Sequence, residues 1–314
     1  MNKIVVFGGD GFIGRHLVKR LASYNKSNEI YVFDRFSTYQ TDSGHPFKKI
    51  NNVQIVRGNF FNRDEVNDVL KGATYVFHLI SSTNPATSQN DPLIDIDTNI
   101  RSSVELFQLC AEHKVKKVIF FSSGGTVYGD IDSKMIREDS APQPLSPYGI
   151  GKLTIEHYLR YFKHTHNLNY IVYRVANPYG PGQNIYGKQG VIPIFMHRYI
   201  THEPLTIYGD GAMMRDYIYI DDLISMVSES YDKQNKNEVY NIGNGKGVNI
   251  NELVTAIEAC SQYAIDKKHI ESPSTYIQNS VLDTSLFTKE FNLKPTISLE
   301  EGIKRTWDYV KEIK

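Results

Sequence analysis

The stretch "KIVVFGGDGFIGRHLVKRLASY" (3–24) decides the fold. Ile4-Val5-Val6-Phe7 is an apolar run of strand length, and residues from about 12 to 24 read as an amphipathic helix. Between them Gly8, Gly11 and Gly14 stand at G-x-x-G-x-x-G, and Gly9 also completes G-x-G-x-x-G. Without Cβ atoms such a turn is tight, and its backbone N–H groups approach a pyrophosphate at the helix N-terminus. Three glycines in any loop say little; three glycines between a strand and an amphipathic helix predict a dinucleotide site. Asp34, ending the second strand, is placed to accept hydrogen bonds from the adenine ribose hydroxyls and to repel a 2′-phosphate. That favours NAD over NADP, although the guanidinium of Arg35 beside it suits the phosphate.

Outward from this unit the first half keeps alternating. Strand candidates at 3–7, 30–33, 53–57, 74–79, 116–121 and 170–175 are separated by helical segments at about 12–24, 64–71, 92–113 and 148–165. Apolar strands alternating with helices predict a parallel sheet covered on both faces, a doubly wound α/β fold of Rossmann type. The second half is less regular and rich in Gly, Pro and Tyr, as in "NPYGPGQNIYGKQG" (177–190), which suits a loop-built cap over a substrate. A further helix is expected to begin near Asn249 to Asn251, and the polar, Pro-containing segment 130–147 reads as a surface loop.

Composition narrows the function classes. The 314 residues are 40% apolar and 22% charged, values of a soluble globular protein. Thirty-five basic residues balance 35 acidic ones, so no net field draws nucleic acid or an anionic membrane. No apolar run approaches the ~20 residues that span a bilayer, and a strand starting at Ile4 leaves no room for a signal peptide. Cys110 and Cys260 lie far apart, outside any CxxC pair, and read as reduced thiols. The histidines show no metal-ligand spacing, so no metal is implied, and "KHTHN" (163–167) reads as a polar helix end. A soluble, cytoplasmic protein is expected.

The reacting chemistry is expected around "FSSGGTVYG" (121–129) and "SPYGIGK" (146–152). Tyr148 and Lys152 are four apart and so share one face of a helix. A free tyrosine titrates near a pH of about 10 and is a poor base at neutrality. A cation beside it favours phenolate, which then takes a proton from a sugar hydroxyl while hydride leaves carbon for the nicotinamide. Tyr263 and Lys267 ("YAIDK") match the same spacing but lack a hydroxyl-bearing strand before them, and read as ordinary surface.

In their order along the chain these motifs resemble the extended short-chain dehydrogenase/reductase family, within it the nucleotide-sugar epimerases and dehydratases. The resemblance rests on Gly8, Gly11 and Gly14, Asp34, "FSSGGTVYG", "SPYGIGK", "RVANPYGPGQ" (174–183) and "MRDYIYIDD" (214–222), and covers essentially the whole chain. It implies an NAD-binding domain over 1–175, joined by about 217–240, a smaller C-terminal α/β domain over 176–314 for a nucleotide-linked sugar, and a homodimer through helices near 92–113 and 148–165. It places Phe12, Ile13, Asn59, Phe60, Leu79, Asn99 and Ser122 with the cofactor. Asn177, Val191 and Arg215 fall to the substrate, Arg215 as a clamp on the diphosphate. A second family arginine has no counterpart near Pro273 or Ser274, which leaves the nucleotide base open.

The family's hydroxyl for the reacting sugar position is matched here by Gly124. Thr126 is the first substitute, on the expectation that strand alternation continues through 122, 124 and 126, and Ser123 is the second. These hydroxyls bonding only local backbone is the remaining reading. Family 4,6-dehydratases follow the catalytic Thr with Asp-Glu, and the C6 decarboxylases keep a Glu here; Gly124-Gly125 supplies neither acid. The simplest remaining cycle is reversible oxidation at C4, a UDP-hexose 4-epimerase with bound NAD. A nucleotide-sugar 4-ketoreductase is the alternative, and a non-catalytic NAD sensor leaves the Tyr148/Lys152 pair unexplained. Ser280, three positions before Asp283 of the "LD" pair, stands where a family Tyr blocks an acetamido group, so the N-acetyl sugars are expected to fit.

Overall fold

Lys3–Phe7 forms β1, buried from Ile4 to Phe7, in a computed structural model that describes residues 2–37, 44–131, 133–187, 190–272 and 277–313. A strand apolar on both faces needs cover on both. It has β2 (Glu29–Asp34) on one side and β4 (Tyr75–His78) on the other, both parallel. With β3 (Val53–Arg57), β5 (Lys117–Ser123), β6 (Tyr170–Val175) and β10 (Val239–Ile242), these make a seven-stranded parallel sheet of order β10-β6-β5-β4-β1-β2-β3. The fold is α/β of Rossmann type, and the strand order reverses beside β1, the place where such sheets bind ligands at their carboxyl ends.

The chain forms two compact units. The first comprises Met1–Ser122, Pro147–Tyr173 and Val227–Tyr240. Its helices include α1 (Phe12–Tyr24), α2 (Arg63–Leu70), α3 (Arg101–Glu112) and α4 (Pro147–His166). Val5, Phe7, Phe33, Val76, Leu106, Phe107, Val118, Phe120, Ile155 and Leu159 share one buried core. Local sequence sets helix starts: Asn62 accepts hydrogen bonds from the N–H groups of Asp64 and Glu65 at the head of α2.

The second unit comprises Ser123–Ser146, Arg174–Met226 and Asn241–Lys314. In it β9 (Met214–Tyr219) pairs with β7 (Asn177–Tyr179), β11 (Gly247–Asn249) and β13 (Asn279–Ser280), while β8 (Leu205–Tyr208) pairs with β12 (Lys267–Ile270). α5 (Val191–Thr201), α7 (Ile250–Ser261), α8 (Ser285–Phe291) and α9 (Leu299–Glu312) belong to it, and α6 (Ile220–Ser230) runs from it back into the first unit. A capping box between Asn249 and Glu252 starts α7 where the sequence expects a helix.

Two expectations change. The helix expected over 92–113 is interrupted near its start by a π-helical turn, Asp95–Ile100, before the α-helical stretch Arg101–Glu112. Ser103 Oγ donates to Asn99 O at 2.5 Å, a side-chain bond drawn from the backbone of that turn. The segment 130–147 is irregular but is not a plain surface loop: Ile136 is fully buried. Its N–H donates to Val281 O, and its carbonyl accepts from Asp283 N, each at 2.8 Å. Among the described residues no helix is long and apolar enough to cross a membrane, and Cys110 and Cys260 are free thiols.

Candidate active site

The glycine turn joins β1 to α1. Gly8 has φ +84°, a conformation that side chains rarely adopt, and its N–H donates to Phe33 O at 3.0 Å. A Cβ on Gly14 would meet Gly8 O at 2.3 Å and Gly9 Cα at 2.6 Å, so only a bare Cα lets α1 sit on the turn. Gly11 is the N-cap and offers no side-chain bond, which leaves the N–H groups of Phe12, Ile13 and Gly14 at the head of α1 without a side-chain cap. Such a cradle fits a dinucleotide pyrophosphate. Leu79, directly after β4, lies alongside, its N–H donating to Phe7 O at 3.0 Å.

Asp34 is fixed by backbone donors: Asp10 N reaches Oδ2 at 3.0 Å and Arg35 N reaches Oδ1 at 2.7 Å. Arg35 is exposed, and its guanidinium makes no ion pair among the described residues. Asp10, unremarked in the sequence, is buried, with Oδ1 at 2.9 Å from Arg15 Nε and 2.9 Å from His45 Nε2. Phe47 N donates to His45 Nδ1, so the ring proton sits on Nε2 and faces Asp10. This clasp ties the segment after β2 to the glycine turn and offsets the Asp10 charge. We expect Asp34→Ala to shift cofactor preference toward NADP, because the repulsion is gone and Arg35 remains. Titration calorimetry of both cofactors on cofactor-free protein checks it; an unchanged preference means that Asp34 does not face the ribose.

Two residues expected at the cofactor have other engagements. Phe60 is buried in the core, its ring 5.6 Å from Phe7 and 5.3 Å from His78, so only its backbone is free to meet a ligand. Asn99 is saturated: its Oδ1 accepts from Ser82 N and Oγ, and its Nδ2 donates to Thr83 Oγ1 and Asp95 Oδ1. Its side chain has no group left for a nucleotide. Asn59 is exposed and uses Oδ1 on Phe61 N.

Tyr148 and Lys152 lie in the first turns of α4, with the ammonium 5.7 Å from the Tyr148 ring centroid. Lys152 is buried and donates to Phe121 O at 3.0 Å. Burial pulls its pKa down to about 8, against the carboxylates of Asp95 and Glu156, which pull it up. Glu156 also accepts from Ser122 Oγ at 2.5 Å, which takes the first of the three hydroxyls out of play. Tyr263, by contrast, lies beyond the end of α7 and Lys267 lies in β12, so that pair shares no helix.

The second unit gathers the remaining residues. β5 ends at Ser123 and the chain turns over 124–126, so strand alternation does not reach Thr126. A Cβ on Gly124 would lie 2.4 Å from Leu282 Cδ1: leucine fills the space that a hydroxyl side chain would need. Thr126 Oγ1 is buried without a partner among the described residues. Ser280 pairs with Arg215 across β13 and β9, and Asn177 pairs with Tyr217 across β7 and β9. Asn177 Oδ1 and Ser280 Oγ lie 3.8 and 3.9 Å from a Cβ placed on Gly125. Val191 opens α5. Pro273 and Ser274 lie outside the described residues, as do Lys188 and Gln189 of "NPYGPGQNIYGKQG".

Fold and residues define an extended short-chain dehydrogenase/reductase. The chain belongs to the NAD dependent epimerase/dehydratase family, whose model matches residues 4–243. It is similar to the UDP-glucose 4-epimerase of Thermotoga maritima, crystallised with UDP-glucose, at 33% identity, 99% coverage of both chains and a TM-score of 0.91. A UDP-N-acetylglucosamine 4-epimerase from Methanobrevibacter ruminantium, in complex with UDP-N-acetylmuramic acid, is 31% identical over 100% of this chain and 99% of that one, at a TM-score of 0.91. A dTDP-4-dehydro-6-deoxyglucose reductase of Escherichia coli is 31% identical over 97% of this chain and 96% of its own length.

Proposed function

We propose that the protein is a UDP-hexose 4-epimerase that interconverts UDP-glucose and UDP-galactose, with the N-acetyl forms also accepted. The observation that carries this reading is the environment of Gly124. A family dehydratase needs Asp-Glu directly after its catalytic hydroxyl; here Gly124 stands at the hydroxyl position with Leu282 filling the space beside it, and Gly125 and Thr126 follow, neither of them an acid. The Tyr148/Lys152 pair remains, so proton transfer at a sugar hydroxyl is retained without acids for elimination.

NAD held by the glycine cradle and Asp34 would supply the acceptor and donor of hydride for C4. Tyr148 holds the proton of the C4 hydroxyl, and Lys152 favours the phenolate. The cradle of Gly8, Gly11, Phe12, Ile13 and Gly14 binds the pyrophosphate, and Asp34 orients the ribose. Arg215, Asn177 and the head of α5 at Val191 hold the diphosphate of the sugar nucleotide. Ser280 is a small residue at the position where a family Tyr blocks an acetamide, which supports tolerance of the N-acetyl sugars.

Thr126 is the hydroxyl assigned to the reacting position, on new grounds: a buried unpartnered oxygen awaits a donor or acceptor. Thr126→Val should then cost more activity than Ser123→Ala. If the Ser123 variant is the weaker enzyme in steady-state assays, the assignment passes to Ser123.

A homodimer is supported by apolar side chains on α4: Ile150, Tyr158 and Tyr161 are 51%, 38% and 52% exposed. A cytoplasmic location accords with sugar-nucleotide substrates. The similarity to a reductase favours a second reading, nucleotide-sugar 4-ketoreduction. Incubation with UDP- and dTDP-sugars, read by NMR, separates the two: the epimerase works without added cofactor, and the ketoreductase consumes reduced cofactor stoichiometrically.

A further inference from the structure

The π-helical turn Asp95–Ile100 packs against α4 and carries a carboxylate to which the sequence assigns no role. Asp95 is 2% exposed. Its Oδ1 accepts from Thr83 Oγ1 at 2.7 Å and Asn99 Nδ2 at 2.6 Å, while Oδ2 is buried with no partner among the described residues. A Cβ placed on Gly151 would lie 3.4 Å from Asp95 Oδ1, so the carboxylate rests on the helix one residue before Lys152. A buried carboxylate with an unsatisfied oxygen is costly unless it answers a charge.

Lys152 is that charge. It is 6% exposed, its ammonium lies 4.9 Å from the Phe120 ring centroid, and it donates to a neutral acceptor, the carbonyl of Phe121. The ionisable groups around it come from three elements. His78 in β4 is held neutral, its pKa pushed to about 3 by burial and then by the charge of Lys152. Tyr148 and Glu156 come from α4, Asp95 from the π-helical turn. Glu156 already accepts from Ser122. The negative charges opposing the desolvation of Lys152 are therefore Asp95 and Glu156, with Asp95 the larger.

We propose that Asp95 is a positioning residue of the reaction: fixed by Thr83 and Asn99, its carboxylate keeps Lys152 an ammonium at neutral pH. This rests on the reading of Tyr148 and Lys152 as the proton-handling pair. Asn99 then acts through Asp95 rather than on a ligand.

The test is a pH titration of the Lys152 side-chain 13Cε resonance in the full-length, cofactor-loaded protein, assigned by its loss in Lys152→Arg. Asp95→Asn preserves shape and removes charge. Its midpoint should fall by about one pH unit or more, and the alkaline limb of the turnover profile should move down with it. Asp95→Glu should restore both. If Asp95→Asn does not fold, Asp95→Ser removes the charge with a smaller side chain and must show the same fall. A charge-removed variant whose midpoint matches wild type overturns the proposal and leaves Asp95 only a structural role. A lowered midpoint in a protein that turns over no UDP-hexose refutes the epimerase reading and leaves the Asp95 assignment standing.

Discussion

Tyr148→Phe lowers turnover by about 10²- to 10⁴-fold, the usual worth of a positioned acid–base group, while fold and cofactor binding persist. The expectation follows from where the side chain sits. Tyr148 is half-buried in the first turn of α4, and its N–H donates to Ser88 Oγ at 3.3 Å, a bond the substitution keeps. Its ring still packs by the Lys152 ammonium; only the phenolic oxygen is lost. Steady-state assays, melting temperature and retained cofactor, measured on one preparation, separate the effects. Turnover within a few-fold of wild type refutes the proton-transfer role.

Gly14→Ala has the other large effect, and it falls on structure and cofactor binding together. The added Cβ meets Gly8 O at 2.3 Å and Gly9 C at 2.9 Å, backbone atoms that cannot rotate away. Either α1 lifts off the turn or the turn distorts. Overpacking of this kind costs about 1–3 kcal/mol, and the N–H groups at the head of α1 lose their aim. Cofactor affinity should fall by about 100-fold or more, the worth of roughly two hydrogen bonds to charged groups. Gly11→Ala is the control: Gly11 is exposed and its nearest neighbour would be Gly8 O at 3.3 Å, so its melting temperature should stay near wild type. Equal melting temperatures and affinities for Gly14→Ala and wild type contradict the cradle described here.

The nucleotide end was legible because its determinants are local. Ile4 to Phe7 and the three glycines lie within eleven residues, and the helix start at Asn249 depends on a glutamate three positions on. Long-range contacts were hidden. Nothing in "DIDTNI" announces a π-helical turn, because that turn depends on Thr83 meeting Asp95 and Ser82 meeting Asn99. The space at Gly124 belongs to Leu282, more than half the chain away in sequence, and no spacing rule reaches that far. Thr126 read as the continuation of a strand through 122 and 124, and the glycines before it turned the chain instead. In the second unit, strands as short as Asn279–Ser280 carry too little periodicity to be read. Asp10 carries no motif of its own, yet its position between two glycines marks it, since a carboxylate beside a phosphate cradle needs a cation or a donor to offset it.

The central claim is inversion at C4 with hydride conserved. The most direct measurement is 1H NMR of UDP-glucose incubated with the purified protein in D2O, with no cofactor added. UDP-galactose should appear, and C4 of the product should carry protium, since the hydrogen removed is the hydrogen returned. Deuterium at C4, or UDP-glucose unchanged while the protein holds its cofactor, would contradict it.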